Sequence, residues 1–457
     1  MSLGCSGFST FFWTENELQQ QQEQQQVLFR TTSVNDTITI PRDHPKVREW
    51  IDTILYAVRE CGINLLDTAP WYGHGTSETV VGYALEEILW CSNSNNNKIN
   101  RNSLIIQTKV GRYDADPKKQ FDFSYDATIS STQRSLQRLF PSLSLSLCSN
   151  DDKYKYIDVL QLHDPEFAPD LEIIMNETIP AMVQCKTKYG YCKSLGLTGY
   201  PLEVQYQIYQ RTLELYGERN DIWDQALTYG HFNLHDSSLV HRRIQNNSPP
   251  SFNNNNNSLD YTSYIDFCHQ HNIKVLAAAP LSMGLLTNNS IPLPDWHPAT
   301  NTELSRACQR AGEICQQHDV DIATLAILFS LSHPAIPTTI LGMHNIEQVK
   351  TAATIAKRFA NADWTNTSKQ LKTHEDILCK ILTEQEKNVY KILKDKKIGP
   401  FATIWNNNEG KGNDDSNEQY NTSNNTPKYQ WDGIREAHIF WTNLEGTYKN
   451  WQMQCME

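Results

Sequence analysis

Gly62-Ile63-Asn64-Leu65-Leu66-Asp67-Thr68-Ala69-Pro70-Trp71-Tyr72-Gly73-His74-Gly75-Thr76-Ser77-Glu78-Thr79-Val80-Val81-Gly82-Tyr83-Ala84 decides how the rest of the chain is read. It opens with a short, mostly apolar run, Ile63 to Leu66, suited to a strand buried on both faces. The run ends on a carboxylate, Asp67, and a turn-rich segment with Pro70, Gly73 and Gly75 follows. A helix signal then begins at Thr76 or Ser77, with Glu78 in its first turn. Asp67 therefore stands where a strand meets its loop, which in a parallel barrel is the catalytic end. Taken singly, Asp67 reads as a helix-entry carboxylate and Tyr72 as a loop aromatic.

The run D-T-A-x-x-Y-G-x-x-x-S-E, from Asp67 to Glu78, resembles the signature of the aldo-keto reductase family. The resemblance implies that Asp67 and Tyr72 belong to a catalytic tetrad. A Lys should then close the next strand and a His the one after. Leu104-Ile-Ile-Gln-Thr-Lys109 and Tyr156-Ile-Asp-Val-Leu-Gln-Leu-His163 have this form. Without the resemblance, Lys109 would read as a surface charge and His163 as a structural histidine.

The outer bounds agree. The 457 residues suffice for a barrel of roughly 250 residues with insertions. A net charge of −12, from 52 acidic and 40 basic residues, argues against nucleic acid or an anionic membrane as the main partner. No apolar run is long enough to span a bilayer, and the N-terminus lacks a secretory pattern. The eleven cysteines form no CxxC pair and no metal-like Cys/His spacing, so reduced thiols, no metal and a cytoplasmic setting are expected.

Strand and helix signals alternate along the chain. The expected strands are Leu3 into Phe8, Ile63–Asp67, Leu104–Lys109, Tyr156–His163, Ser194–Pro201 with its loop, Gln225–Gly230, Ile273–Gly284 with its loop, and Thr338–Gly342. Helices are expected at Pro45–Cys61, Ser77–Trp90, Asp126–Leu139, Asp170–Tyr189, Leu202–Tyr216, Leu259–His271, Asn301–Gln317, Asp321–Leu331, Ile346–Phe359 and Ile377–Leu393. Eight strands alternating with helices give an α/β fold, a (β/α)8 TIM barrel. A doubly wound sheet would need G-x-G-x-x-G after an early strand, and none occurs there. Gln19–Gln26, Asn93–Asn97, Gln245–Ser258 and Asn406–Asn425 are polar low-complexity stretches. The expected division is a barrel over residues 1–400 and, over 401–457, an insertion with an aromatic tail around Trp431–Trp451. The usual family member carries residues, often a hairpin, before the first strand, and this chain starts without them.

Within the family, Leu162–Phe167, Gly196–Pro201, Leu227–Asp236 and Pro280–Thr287 are most similar to the aldose 1-dehydrogenases of L-galactose and D-arabinose type. The resemblance implies cofactor contacts from Thr198, Gly199, Tyr229, Pro280, Leu281, Ser282 and Gly284. Most members have Ser-Asn in place of Thr198-Gly199 and Gln in place of Tyr229. The segment Leu341–Gln348 matches the loop that takes the adenosine-phosphate end, with Gly342, Met343, Asn345 and Gln348. Members that prefer the 2′-phosphorylated cofactor supply Lys and Arg there. Gly342 and Gln348 carry no such charge, so NAD is expected over NADP, unless Lys350 turns inward.

The implied chemistry is oxidation of an aldose at C1 to its lactone, with Tyr72 as proton acceptor. A phenol of pKa about 10 needs help to act as a base near neutrality. The Lys109 ammonium lowers that value, Asp67 holds Lys109, and His163 hydrogen-bonds the reacting oxygen. A step toward ascorbate-type products fits that chemistry. The expected partner is a small sugar, and the expected state a monomer or weak homodimer. Two other functions keep the tetrad: an NADPH-dependent aldehyde or ketone reductase, and a nicotinamide-binding regulatory subunit like the barrel subunits of potassium channels.

Overall fold

The computed structural model describes residues 1–8, 41–89, 99–113, 119–141, 155–217, 222–241, 243–245, 261–288, 299, 303–362, 373–395 and 397–401. The low-complexity stretches at 19–26, 93–97, 246–258 and 406–425, and the aromatic tail, lie outside these residues.

Eight parallel strands close into a barrel. They are β1 (Ser2–Gly4), β2 (Leu65–Asp67), β3 (Ile105–Val110), β4 (Ile157–His163), β5 (Cys192–Gly199), β6 (Gln225–Tyr229), β7 (Lys274–Ala278) and β8 (Thr339–Gly342). β1 closes the ring by pairing with both β8 and β2, Leu3 opposite Leu341 and Leu66. The expected (β/α)8 architecture is the observed one.

The helices pack outside. α1 (Pro45–Arg59) starts on a proline and buries Val47, Trp50, Ile51, Ile54, Leu55 and Val58, a helical stripe against the strands. α2 (Thr76–Leu89) and α3 (Tyr125–Leu139) follow β2 and β3. Gly82 lets these two meet, since a Cβ there would lie 2.1 Å from the Arg138 carbonyl oxygen. Gly82→Ala should therefore cost about 3 kcal/mol, read as a lowered urea midpoint with an unchanged slope. An unchanged midpoint would mean that the two helices can part freely.

Three expectations are corrected in detail. The span from Asp170 to Tyr189 is helical only to Thr187 and holds a π-helical turn at Ile174–Thr178, just before Pro180, which has no N–H to donate. Of the helix expected over Leu259–His271, Tyr264–Gln270 forms among the described residues, and Tyr261–Ser263 instead pairs antiparallel with Arg243–Gln245. The β-rich Tyr-Thr-Ser triplet and the Ser263 cap, which accepts from Asp266 N–H, place the start of the helix there. The span Ile377–Leu393 is two helices, His374–Ile381 and Glu384–Leu393, divided by a capping box of Thr383 and Glu386.

Inside the barrel the side chains lie in layers. Leu65, Leu227, Leu276 and Ile340 form a separate apolar plug. Beside these four, at the same levels of the barrel, sit the buried amides Gln107, Gln161 and Gln225, with Gln225 two residues before Leu227 on β6. Asp67, Lys109 and His163 lie two residues further along β2, β3 and β4, on the same inward face. Among the described residues no helix is long and apolar enough to cross a membrane.

Candidate active site

The barrel brings Asp67, Lys109 and His163 to one mouth because each sits at or beside the C-terminal end of its strand. Lys109 Nζ donates to Asp67 Oδ1 at 2.8 Å and to the Thr68 carbonyl at 2.8 Å. Asp67 Oδ1 also accepts from Gln107 Nε2 at 2.7 Å, and Gln107 Oε1 accepts from Gln225 Nε2 at 3.0 Å. The amide layer thus anchors the carboxylate from below. Tyr72 arrives from the β2 loop, with Lys109 Nζ 4.7 Å from its ring centroid. The His163 ring stands at 88° to it, with centroids 6.1 Å apart. All four tetrad positions expected from the sequence meet here.

The rest of the Asp67–Glu78 run fixes the loop that carries Tyr72. Thr68 Oγ1 and Ser77 Oγ share a hydrogen bond of 2.8 Å, and Ser77 Oγ donates to the Cys5 carbonyl at 2.8 Å. The buried Glu78 carboxylate accepts from Thr108 Oγ1 at 2.5 Å and from Arg138 Nε at 2.7 Å. These side chains tie the Tyr72 loop to the end of β1, to β3 and to α3.

Burial sets the electrostatics. It pushes the Tyr72 phenol up to about 12, against the pull of Lys109, whose charge and hydrogen bond act downward as expected from the sequence. Burial also opposes charge on Lys109, but Asp67 and Tyr72 outweigh it and hold the ammonium above its ordinary value. Burial drops His163 to about 3, so the ring is neutral near pH 7.

The structure adds neighbours that sequence reading missed. Arg112 lies over the Trp71 ring, 3.5 Å from its centroid, and donates to Asp164 Oδ2 at 2.7 Å and to Gln120 Oε1 at 2.9 Å. Asp164 follows His163 directly and has a left-handed backbone, φ 51°. Burial and the Asp164 charge raise Glu166 to about 8; its Oε1 accepts from the Tyr200 N–H at 2.9 Å. Glu166 Oε2 fills the space beside Gly199, where a Cβ would come within 2.5 Å of it. The inward alternation Gln107/Lys109 and Gln161/His163 was the available signal for the amide layer; nothing in the sequence marked Arg112.

The expected cofactor positions line further strand ends around the same rim. Thr198 and Gly199 end β5, with Thr198 level with His163. Tyr229 ends β6. Pro280, Leu281, Ser282 and Gly284 follow β7, where left-handed backbone recurs at Ala279, Ser282, Met283 and Gly284. Leu281 (φ −90°) precedes left-handed Ser282, whose N–H donates to the Ala279 carbonyl at 2.9 Å and so fixes the turn. Ser282 Oγ is 2.7 Å from His235 Nε2, another contact unseen in the sequence. Gly342 ends β8, Met343 is buried, and Asn345 caps the helix Ile346–Asn361 by accepting from the Gln348 N–H at 3.0 Å. The Gln348 side chain is turned back onto the His344 N–H at 2.7 Å. Lys350 is paired with Glu347 at 2.7 Å, not turned into the loop.

This geometry agrees with what related sequences indicate. Residues 41–368 match the model of the Aldo/keto reductase family. The chain belongs to that family. Among curated relatives, this aldo/keto reductase is 31% identical over 302 residues to the L-galactose dehydrogenase of Arabidopsis thaliana, covering 65% of this chain and 76% of that one. It is 28% identical over 314 residues to the D-arabinose 1-dehydrogenase of Saccharomyces cerevisiae, covering 68% and 77%. A solved structure, the glycerol dehydrogenase of Gluconobacter oxydans, superposes with a TM-score of 0.51 at 18% identity, covering 92% of this chain and 94% of that one, which speaks to the fold alone. As an aldo/keto reductase the chain is an oxidoreductase acting on CH–OH groups, with a nicotinamide cofactor.

Proposed function

We propose that this aldo/keto reductase oxidises a cyclic aldose of L-galactose or D-arabinose type at C1 to its lactone, with NAD as acceptor. The observation that carries the chemistry is Lys109 held between Asp67 Oδ1, at 2.8 Å, and the Tyr72 ring. A charged ammonium at the base of a buried phenol stabilises phenolate, and phenolate is what can take a hydroxyl proton. The substrate class is supported by the names of the two curated relatives and by the four stretches that resemble them.

The C1 hydroxyl gives its proton to Tyr72 Oη, while C1 loses hydride and its bond to oxygen becomes a carbonyl. The nicotinamide, when bound, supplies the hydride acceptor. Lys109 holds the phenolate, and Asp67 keeps Lys109 in place. His163, neutral, hydrogen-bonds the reacting oxygen and orients the sugar. In the reverse direction Tyr72 returns the proton.

The N-terminus of the helix Ile346–Asn361 suits a phosphate of a dinucleotide. Gln348 is engaged with His344 N–H and Lys350 with Glu347. That leaves no cation among Gly342, Met343, Asn345 and Gln348 for a 2′-phosphate, which favours NAD. The partner is a small sugar alone, the chain acts as a monomer or weak homodimer in the cytoplasm, and its product lies on a route of ascorbate type.

Reduced nicotinamide is followed by absorbance with L-galactose, D-arabinose and L-fucose, using each cofactor. Turnover with NAD should exceed that with NADP by at least about tenfold in kcat/KM, with lactone as product. A preference for the 2′-phosphorylated cofactor, with carbonyl reduction faster than aldose oxidation, would replace this reading with that of an NADPH-dependent reductase.

A further inference from the structure

Asp164 has three features together that the proposed chemistry does not use. Its backbone is left-handed, φ 51° and ψ 53°, a conformation that costs a non-glycine residue energy and clusters at functional sites. Its carboxylate is oriented by a cation that cannot easily move. Arg112 is 4% exposed, donates to Asp164 Oδ2 at 2.7 Å, and is stacked on Trp71, one residue before Tyr72. Its side chain is more open than its catalytic neighbours: 16% exposed, against 1% for Lys109 and 5% for Asp67.

Position adds the direction. Asp164 Oδ2 lies 3.6 Å from His163 Nε2. Among the described residues, no hydrogen bond reaches Oδ1. Two residues on, Glu166 Oε2 is a buried carboxyl oxygen with no hydrogen-bond partner among the described residues. A carboxylate held by a buried guanidinium thus stands 3.6 Å from the nitrogen with which His163 would hold the reacting oxygen. Vicinal hydroxyl oxygens on a sugar ring lie about 2.8 Å apart, a single hydrogen-bond length. An oxygen bonded to His163 therefore carries its neighbour within reach of Asp164.

We propose that Asp164, fixed by Arg112 on Trp71, accepts a hydrogen bond from the hydroxyl next to the reacting carbon, the 2-hydroxyl of the aldose, and so determines specificity for polyhydroxylated substrates. The inference rests on the aldose reading given above. Asp164 takes no proton and no hydride. It selects substrates whose second hydroxyl meets its carboxylate, and a simple alcohol or deoxy sugar leaves that carboxylate without the bond.

The test is the ratio of kcat/KM for the best aldose to that for its 2-deoxy analogue, measured on one preparation so that the active fraction cancels. The wild-type chain should favour the parent sugar by about ten- to a hundredfold. Asp164→Ala should bring the ratio close to one, mainly through KM for the parent sugar, and leave the cofactor dissociation constant, read by fluorescence quenching, unchanged. Asp164→Asn, which keeps the shape but is a weaker acceptor, should fall between, and it supplies the same ratio if the alanine variant does not fold. A wild-type chain that does not discriminate, or variants that keep the wild-type ratio, would overturn the inference and leave the aldose reading standing. A wild-type chain that turns over no aldose with either cofactor would overturn both.

Discussion

Tyr72→Phe lowers kcat by about three orders of magnitude and leaves cofactor binding and thermal stability close to wild type. The phenyl ring keeps the contact with Lys109 Nζ, 4.7 Å from the centroid, and the edge-on packing of His163. Only the oxygen that takes the proton is lost. The comparison is made by steady-state kinetics with the preferred aldose, beside a fluorescence titration of the cofactor. The phenol also gives the pH dependence a sign. Its value of about 12, raised by burial, means that the phenolate fraction grows as pH rises through the working range. The rate of aldose oxidation should therefore climb with pH, and that climb should vanish in the residual activity of the Phe variant. A Phe variant with full turnover would mean that another group accepts the proton.

Lys109→Met should be more damaging still, because it removes activity and stability together. Methionine fills most of the space, but Asp67, 5% exposed and anchored by Gln107, is left without its cation. Breaking a buried pair from one side costs about 3 kcal/mol. A chemical melt should show this as a lowered midpoint, and the kcat of whatever folds should fall at least as far as in the Phe variant. The companion Asp67→Asn keeps the shape and removes the unpaired charge, so the double variant should recover part of the lost stability without recovering the rate. If Lys109→Met proved as stable as wild type, Asp67 would have to be relieved by another group or by protonation.

The barrel was legible because two signals coincided. Short apolar runs ended on chemistry-bearing residues, Asp67, Lys109 and His163, and amphipathic helices such as Pro45–Arg59 lay between them. The tetrad was legible through the Asp67–Glu78 run, and then through strand ends where its missing members had to stand. Less legible was anything set by close approach between distant segments. The sequence around Arg112 does not say that it will lie on Trp71, or that Asp164 will turn left-handed to meet it. Nor does it say that burial outweighs Lys109 at the Tyr72 phenol, since that depends on how many layers of chain cover the ring. Helix breaks inside apolar patterns were missed for a local reason. A cap such as Thr383 interrupts the backbone without interrupting the hydrophobic stripe of Ile381, Val389 and Leu393.

The apolar plug of Leu65, Leu227, Leu276 and Ile340 has its own consequence for traffic. With the amides of Gln107 and Gln225 bonded to each other beside these side chains, the described side chains beneath Asp67 supply no titratable relay through the barrel floor. Any proton lifted from a substrate must then depart by the doorway through which that substrate came. While the product lingers there the exit is stoppered, so the discharge of the proton and the escape of the lactone become one event, and viscosity should slow them together.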